Sequence, residues 1–86
     1  MNDPNIIISG LTRKFSQDGV DLRIEIYRLE HDPNWTLEVV DEDGTSTVWD
    51  DLFQTDQEAL DEALKTIQEE GPSAFRDAGN VISFPR

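Results

Sequence analysis

Cysteine is absent from the 86-residue chain. That removes disulfides, thiolate zinc sites and cysteine nucleophiles together, and it fits a reducing cytoplasm. Histidine occurs once, at His31, in a turn before Asp32 and Pro33 with no nucleophile beside it. Bases are scarce: seven against nineteen acids, for a formal net charge of −12. Nucleic-acid phosphates and anionic membranes should repel such a chain, so neither is an expected partner. No apolar run approaches the roughly 20 residues that span a bilayer. Residues Met1 to Asn5 lack the positive region and apolar stretch of a secretion signal. Asn34-Trp35-Thr36 therefore reads as a chance match to the glycosylation sequon. There is no glycine-rich phosphate loop, nucleotide fingerprint or nucleophile elbow, and no cofactor is expected.

What the chain does have is periodic. At 36% hydrophobic and 30% charged residues it is modestly apolar, but its apolar residues fall in ordered runs, as in a folded domain. Four strand-like runs come first: residues 6–15, 20–29, 35–41 and 45–49. In the second, Val20, Leu22, Ile24 and Ile26 alternate with Asp21, Arg23 and Glu25, the period of a half-buried strand. Asp18-Gly19 and Asp43-Gly44 mark tight hairpin turns, and His31–Asn34 a longer loop closed by Pro33. A helix follows over residues 56–70. Thr55 is its N-cap and Glu58 completes a capping box, while Leu60, Ala63, Leu64 and Ile67 draw one apolar stripe. Gly71 and Pro72 end it, and a short helical turn over Pro72–Asp77 follows. Residues 80–86 carry Val81, Ile82 and Phe84, more apolar than a tail needs.

Turn lengths convert these runs into registers. A two-residue loop at Asp18-Gly19 sets Phe15 opposite Leu22, Leu11 opposite Ile26 and Gly10 opposite Tyr27, with the tyrosine ring covering the glycine. A four-residue loop at His31–Asn34 sets Ile26 opposite Val39 and Tyr27 opposite Glu38. A two-residue loop at Asp43-Gly44 sets Val39 opposite Val48 and Glu38 opposite Trp49. These registers place Ile7, Leu11, Phe15, Val20, Leu22, Ile24, Ile26, Trp35, Leu37, Val39 and Val48 on one face. The expected architecture is a single α+β domain, a four-stranded antiparallel meander with the C-terminal amphipathic helix packed on one face.

The second face is then the place to look for function. One end carries mixed charges. The other groups Ile6, Ile8, Tyr27, Leu29, Val40 and Trp49, an apolar patch of the kind that marks contacts. The 80–86 segment of the same chain, a second copy in a homodimer, or a different protein would each cover it. The leading expectation is a non-enzymatic protein-interaction module using these six residues. The alternative is an acidic decoy that binds a basic protein through Glu58, Glu62, Glu69 and Glu70. Eleven acids and one base, Lys65, lie between Asp41 and Glu70.

Carboxylates are the one plentiful reactive group. Asp41-Glu42-Asp43-Gly44 is a poor calcium loop, since its glycine comes three rather than five positions after the first Asp and Leu52 occupies the twelfth. Asp50-Asp51 would suit acid–base work, but the pair reads first as a solvated strand end. No metal site is expected.

Ile6-Ile7-Ile8-Ser9-Gly10-Leu11-Thr12-Arg13-Lys14-Phe15, Trp35-Thr36-Leu37-Glu38-Val39-Val40 and Val48-Trp49-Asp50-Asp51-Leu52-Phe53 together resemble a family of small, mainly alphaproteobacterial proteins of unknown function. The resemblance spans nearly the whole chain, including the helix and Asn80-Val81-Ile82. It implies a bacterial cytoplasmic protein and supplies no active-site residue.

Overall fold

Two positive φ angles in a row start the architecture. Asp18 (φ 53°) and Gly19 (φ 79°) form the two-residue loop expected there as a type I′ turn, whose twist suits a hairpin. It joins β2 (Arg13–Gln17) to β3 (Val20–Leu29) with Gln17 opposite Val20 and Phe15 opposite Leu22. The computed structural model describes residues 5–75. In it, β1 (Ile6–Ile8), β4 (Thr36–Asp41) and β5 (Ser46–Val48) complete an antiparallel sheet of five strands. The long β3 holds β1 and β2 along one side and β4 on the other, and β5 flanks β4. One helix, α1 (Asp56–Glu70), and a 3-10 turn (Pro72–Phe75) close the core from one side. The fold is α+β, an antiparallel sheet with a C-terminal helix. The expectations for residues 80–86, and for the helical turn beyond Phe75, lie outside the described residues.

Three registers differ from those read from turn length, and the size of each offset decides its consequence. The run 6–15 is not one strand. A turn closed by the Thr12 amide on the Ser9 carbonyl (3.2 Å) interrupts it, and Ile8 rather than Gly10 stands opposite Tyr27. The Thr12 hydroxyl fills the gap in the ladder, donating to the Ile26 carbonyl (3.2 Å) and accepting from the Ile26 amide (3.0 Å). Gly10 is exposed, and a Cβ placed on it would meet nothing within 4 Å, so the Tyr27 ring does not cover it. The β3–β4 pairing is also displaced by two: Ile26 faces Leu37 and Tyr27 faces Thr36. Arg28 holds this wider loop by donating to the carbonyls of Leu29, Glu30 and Asp32, with its guanidinium 5.1 Å from the centre of the Trp35 ring. Both offsets are even, so every side chain keeps its face.

The third offset is odd. Glu38 pairs with Val48 and Val39 with Thr47. The loop has three residues, Glu42-Asp43-Gly44, with Gly44 at φ 88° and its amide on the Asp41 carbonyl (3.0 Å). This is a type I turn followed by a left-handed glycine bulge, not a two-residue type I′ turn. Asp41 selects it: Oδ1 accepts from the amides of Asp43 (2.9 Å) and Thr45 (2.7 Å). One residue of slip turns β5 over. Thr47 and Trp49 point into the core, and Val48, expected there, shares the outer face with Glu38.

The helix matches its expected limits. The Thr55 hydroxyl accepts from the Glu58 amide (3.1 Å), and Glu58 reaches back to the Gln54 amide (3.2 Å). Gly71 at φ 85° donates to the Ile67 carbonyl (2.8 Å) and ends it. The buried stripe is Ala59, Leu60, Ala63, Thr66 and Ile67; Leu64 lies at its rim, 36% exposed. Against these pack Val20, Leu22, Ile24, Ile26, Leu37 and Val39 from the sheet, with Leu11, Phe15 and Trp35 at the margin. Phe53 and Phe75 also join the core. Phe53 returns after the Asp50–Leu52 excursion to exchange both backbone hydrogen bonds with Trp35 (2.7 and 2.9 Å).

Candidate contact face

The outer face of the sheet is built by the odd positions of β3. Their cross-strand partners give rows: Leu29 with Ile6, Tyr27 with Ile8 and Thr36, Glu25 with Glu38 and then Val48, and Arg23 with Lys14, Val40 and Ser46. Five of the six expected contact residues, Ile6, Ile8, Tyr27, Leu29 and Val40, therefore share this face. Ile6 (58%), Ile8 (60%) and Leu29 (42%) are its exposed apolar residues, and they adjoin at the β1 corner. Tyr27 and Val40 are half-buried, as is Val48, which adds an apolar side chain to the same face.

Trp49 does not belong here, and its expected place in the contact surface is corrected. It is 2% exposed, stacks on Phe75 with ring centroids 6.2 Å apart, and donates from Nε1 to Glu62 Oε2 (3.4 Å). The signal for this was present in the sequence. An Asp two residues before Asp43-Gly44 offers the side-chain acceptor that converts the turn to three residues.

Tyr27 carries the chemistry of the face. Its hydroxyl donates to Glu38 Oε1 (2.9 Å). Burial first, then the Glu38 hydrogen bond and charge, and lastly the Glu25 charge push its phenol up from 10.0 to about 12. Since the folded value lies above the unfolded one, neutral Tyr27 contributes stability that is complete below pH 10. It is lost as pH rises through about 12. Tyr27 is the sole tyrosine, so phenolate absorbance in the folded protein should titrate near pH 12 and, in denaturant, near pH 10. Titration of the folded protein at 10 would mean that neither the burial of the ring nor the Glu38 contact holds in solution.

The acidic alternative loses one of its members. Glu62 accepts from Trp49 Nε1 and from the Thr66 hydroxyl (3.3 Å), and is half-buried, whereas Glu58, Glu69 and Glu70 are exposed. Glu58 is meanwhile occupied by the Gln54 amide. Asp50 and Asp51 are both exposed, and His31 projects into solvent 3.8 Å from Glu30. Among the described residues, no group of three or more His, Asp or Glu side chains gathers at metal-binding distance. A shallow concavity of about 270 Å³ at the β2–β3–β4 end mixes Lys14 and Arg23 with Asp21, Asp41 and Glu42. It favours neither sign of ligand. Among the described residues no helix is long and apolar enough to cross a membrane.

No family model, curated protein or solved structure matches this chain.

Proposed function

We infer that this domain is a non-enzymatic protein-contact module whose docking surface is the β1 corner of the outer sheet face: Ile6, Ile8, Tyr27 and Leu29, with Val40 and Val48 extending it. The observation that carries this reading is the adjacency of three large aliphatic side chains, each more than two-fifths exposed, in cross-strand register. Exposed aliphatics scattered singly are ordinary, but a contiguous group at one corner marks a contact. Tyr27 suits such a surface, since its ring is apolar and its hydroxyl is already satisfied by Glu38. A bacterial cytoplasmic setting, the one implied by the family resemblance, is compatible with it.

The test places a photo-crosslinking residue at Leu29 and, as a control, at the exposed helix position Gln68. Illumination in cells should give a defined adduct through position 29 and none through 68. Equal labelling at both positions, or no adduct at 29, would overturn the assignment.

A further inference from the structure

We propose that the occupant of this corner is a second copy of the chain, paired edge to edge through β1 to make one continuous antiparallel sheet. This rests on the contact-module reading and adds the partner and its register.

In an antiparallel ladder, residues alternate between hydrogen-bonded and non-hydrogen-bonded pairs. The Glu30 amide donates to the Asn5 carbonyl (3.0 Å) and the Ser9 amide to the Ile26 carbonyl (2.9 Å). Asn5, Ile7 and Ser9 therefore direct their backbone toward β3, and Ile6 and Ile8 direct theirs away. Among the described residues no strand pairs with β1 on that far side. The free edge thus presents two amides and two carbonyls.

A copy related by a two-fold axis through Ile7 satisfies all of them. Ile6 then stands opposite Ile8 of the other copy, and Ile8 opposite its Ile6, both as hydrogen-bonded pairs. Ile7 meets Ile7 across the axis. Slipping the copies by two residues in either direction leaves some of these groups unpaired. The same register brings both Ile6, Ile8 and Leu29 clusters onto one face, where each shields the other.

Charge permits the approach. The chain carries −12 overall, but Ile6 to Leu11 contains no ionisable side chain, so no like charges meet at the seam. Nor does the edge carry the lysine or proline with which sheets commonly block strand addition; its shortness is its one guard. A three-residue seam buries much less than the roughly 800 Å² per partner of a standard interface, so the dimer is weak and concentration-dependent.

Sedimentation equilibrium of the full chain should show mass rising toward that of a dimer with concentration. Ile8→Pro should abolish the rise, because the amide it removes faces away from β3 and the intramolecular ladder survives. Circular dichroism verifies that the variant folds. The absence of native cysteine allows an independent test of register. Ile7→Cys, lying on the axis, should form a disulfide dimer about tenfold faster than Ile6→Cys or Gln68→Cys under mild oxidation. Equal rates for the three variants, or a wild type that stays monomeric at every concentration, would overturn the proposal. A monomeric wild type whose Leu29 crosslinker captures another protein would overturn self-pairing and leave the contact face standing. An adduct that joins Leu29 to another segment of the same copy, with no gain in mass, would remove both.

Discussion

Trp49→Asp is expected to unfold the protein rather than to weaken a surface contact. The indole is 2% exposed between sheet and helix and stacks on Phe75. Truncating a buried aromatic costs about 3–5 kcal/mol. An unpaired carboxylate left in the same place adds a desolvation penalty. The whole stability of a domain of this size is about 4–13 kcal/mol at 0.05–0.15 kcal/mol per residue. The substitution therefore removes most or all of it. Far-ultraviolet circular dichroism should show no cooperative melt for Trp49→Asp. A cooperative melt within a few degrees of wild type would return the indole to the surface and restore Trp49 to the docking face. Ile8→Asp is the useful contrast, because that side chain is 60% exposed and its loss leaves the core intact.

Asp41→Ala should have the second-largest effect, well above that of an ordinary turn substitution. The carboxylate is 5% exposed, and its Oδ1 accepts the Asp43 and Thr45 amides that set the three-residue loop. Hydrogen bonds to charged groups contribute about 1.5–3 kcal/mol each, and water recovers part of that at an exposed turn. A net loss of about 2–3 kcal/mol is expected in a urea titration. Asp41→Asn keeps the Oδ1 acceptor and should lose less than half as much. The other oxygen, Oδ2, is buried without a hydrogen-bond partner among the described residues, so it contributes nothing that Asn would forfeit. If Asp41→Ala stays within about 0.5 kcal/mol of wild type, the scale of an inert surface change, Gly44 alone holds the register.

These two residues bear on one event. The Asp41 acceptor and the left-handed Gly44 give the last hairpin three loop residues, and that count sends Trp49 inward. A two-residue loop would have put Val48 in the core and Trp49 beside Glu38. Reading the turn as the dipeptide Asp43-Gly44 missed the side chain two positions earlier, because the competition between turn types is settled by a hydrogen bond that no residue pair displays. The β1–β3 and β3–β4 registers each differ by two residues from those that turn length implies, yet the inner set of β3 and β4 is the expected one. Ile24, Ile26, Leu37 and Val39 are all fully buried. An even slip moves a side chain along its face, and only an odd slip moves it through the sheet.

The contact face was legible to the same extent. Ile6, Ile8, Tyr27, Leu29 and Val40 follow from the alternation of β3 and its neighbours. Their grouping survives the turn at Ser9–Thr12 because that insertion is even. The break between β1 and β2 was not legible, because the apparent continuity of residues 6–15 conceals the turn at Ser9–Thr12. Phe53 and Phe75 stood outside every periodic run, and only the packing of chain segments beyond β5 and α1 buries them.

By itself the sequence determined the helix, its caps and the two-residue turn at Asp18-Gly19. Each rests on interactions within a few residues: Thr55 with Glu58, Gly71 with Ile67, two positive φ angles in succession. It determined the two faces of β3 as well, since alternation is a property of one strand. The tertiary structure decided which partner each strand residue meets and how Phe53 and Phe75 enter the core, because those depend on hydrogen bonds and packing between segments far apart in the chain. The side of Trp49 turns on the local Asp41 acceptor, where one residue of slip exchanges core for surface.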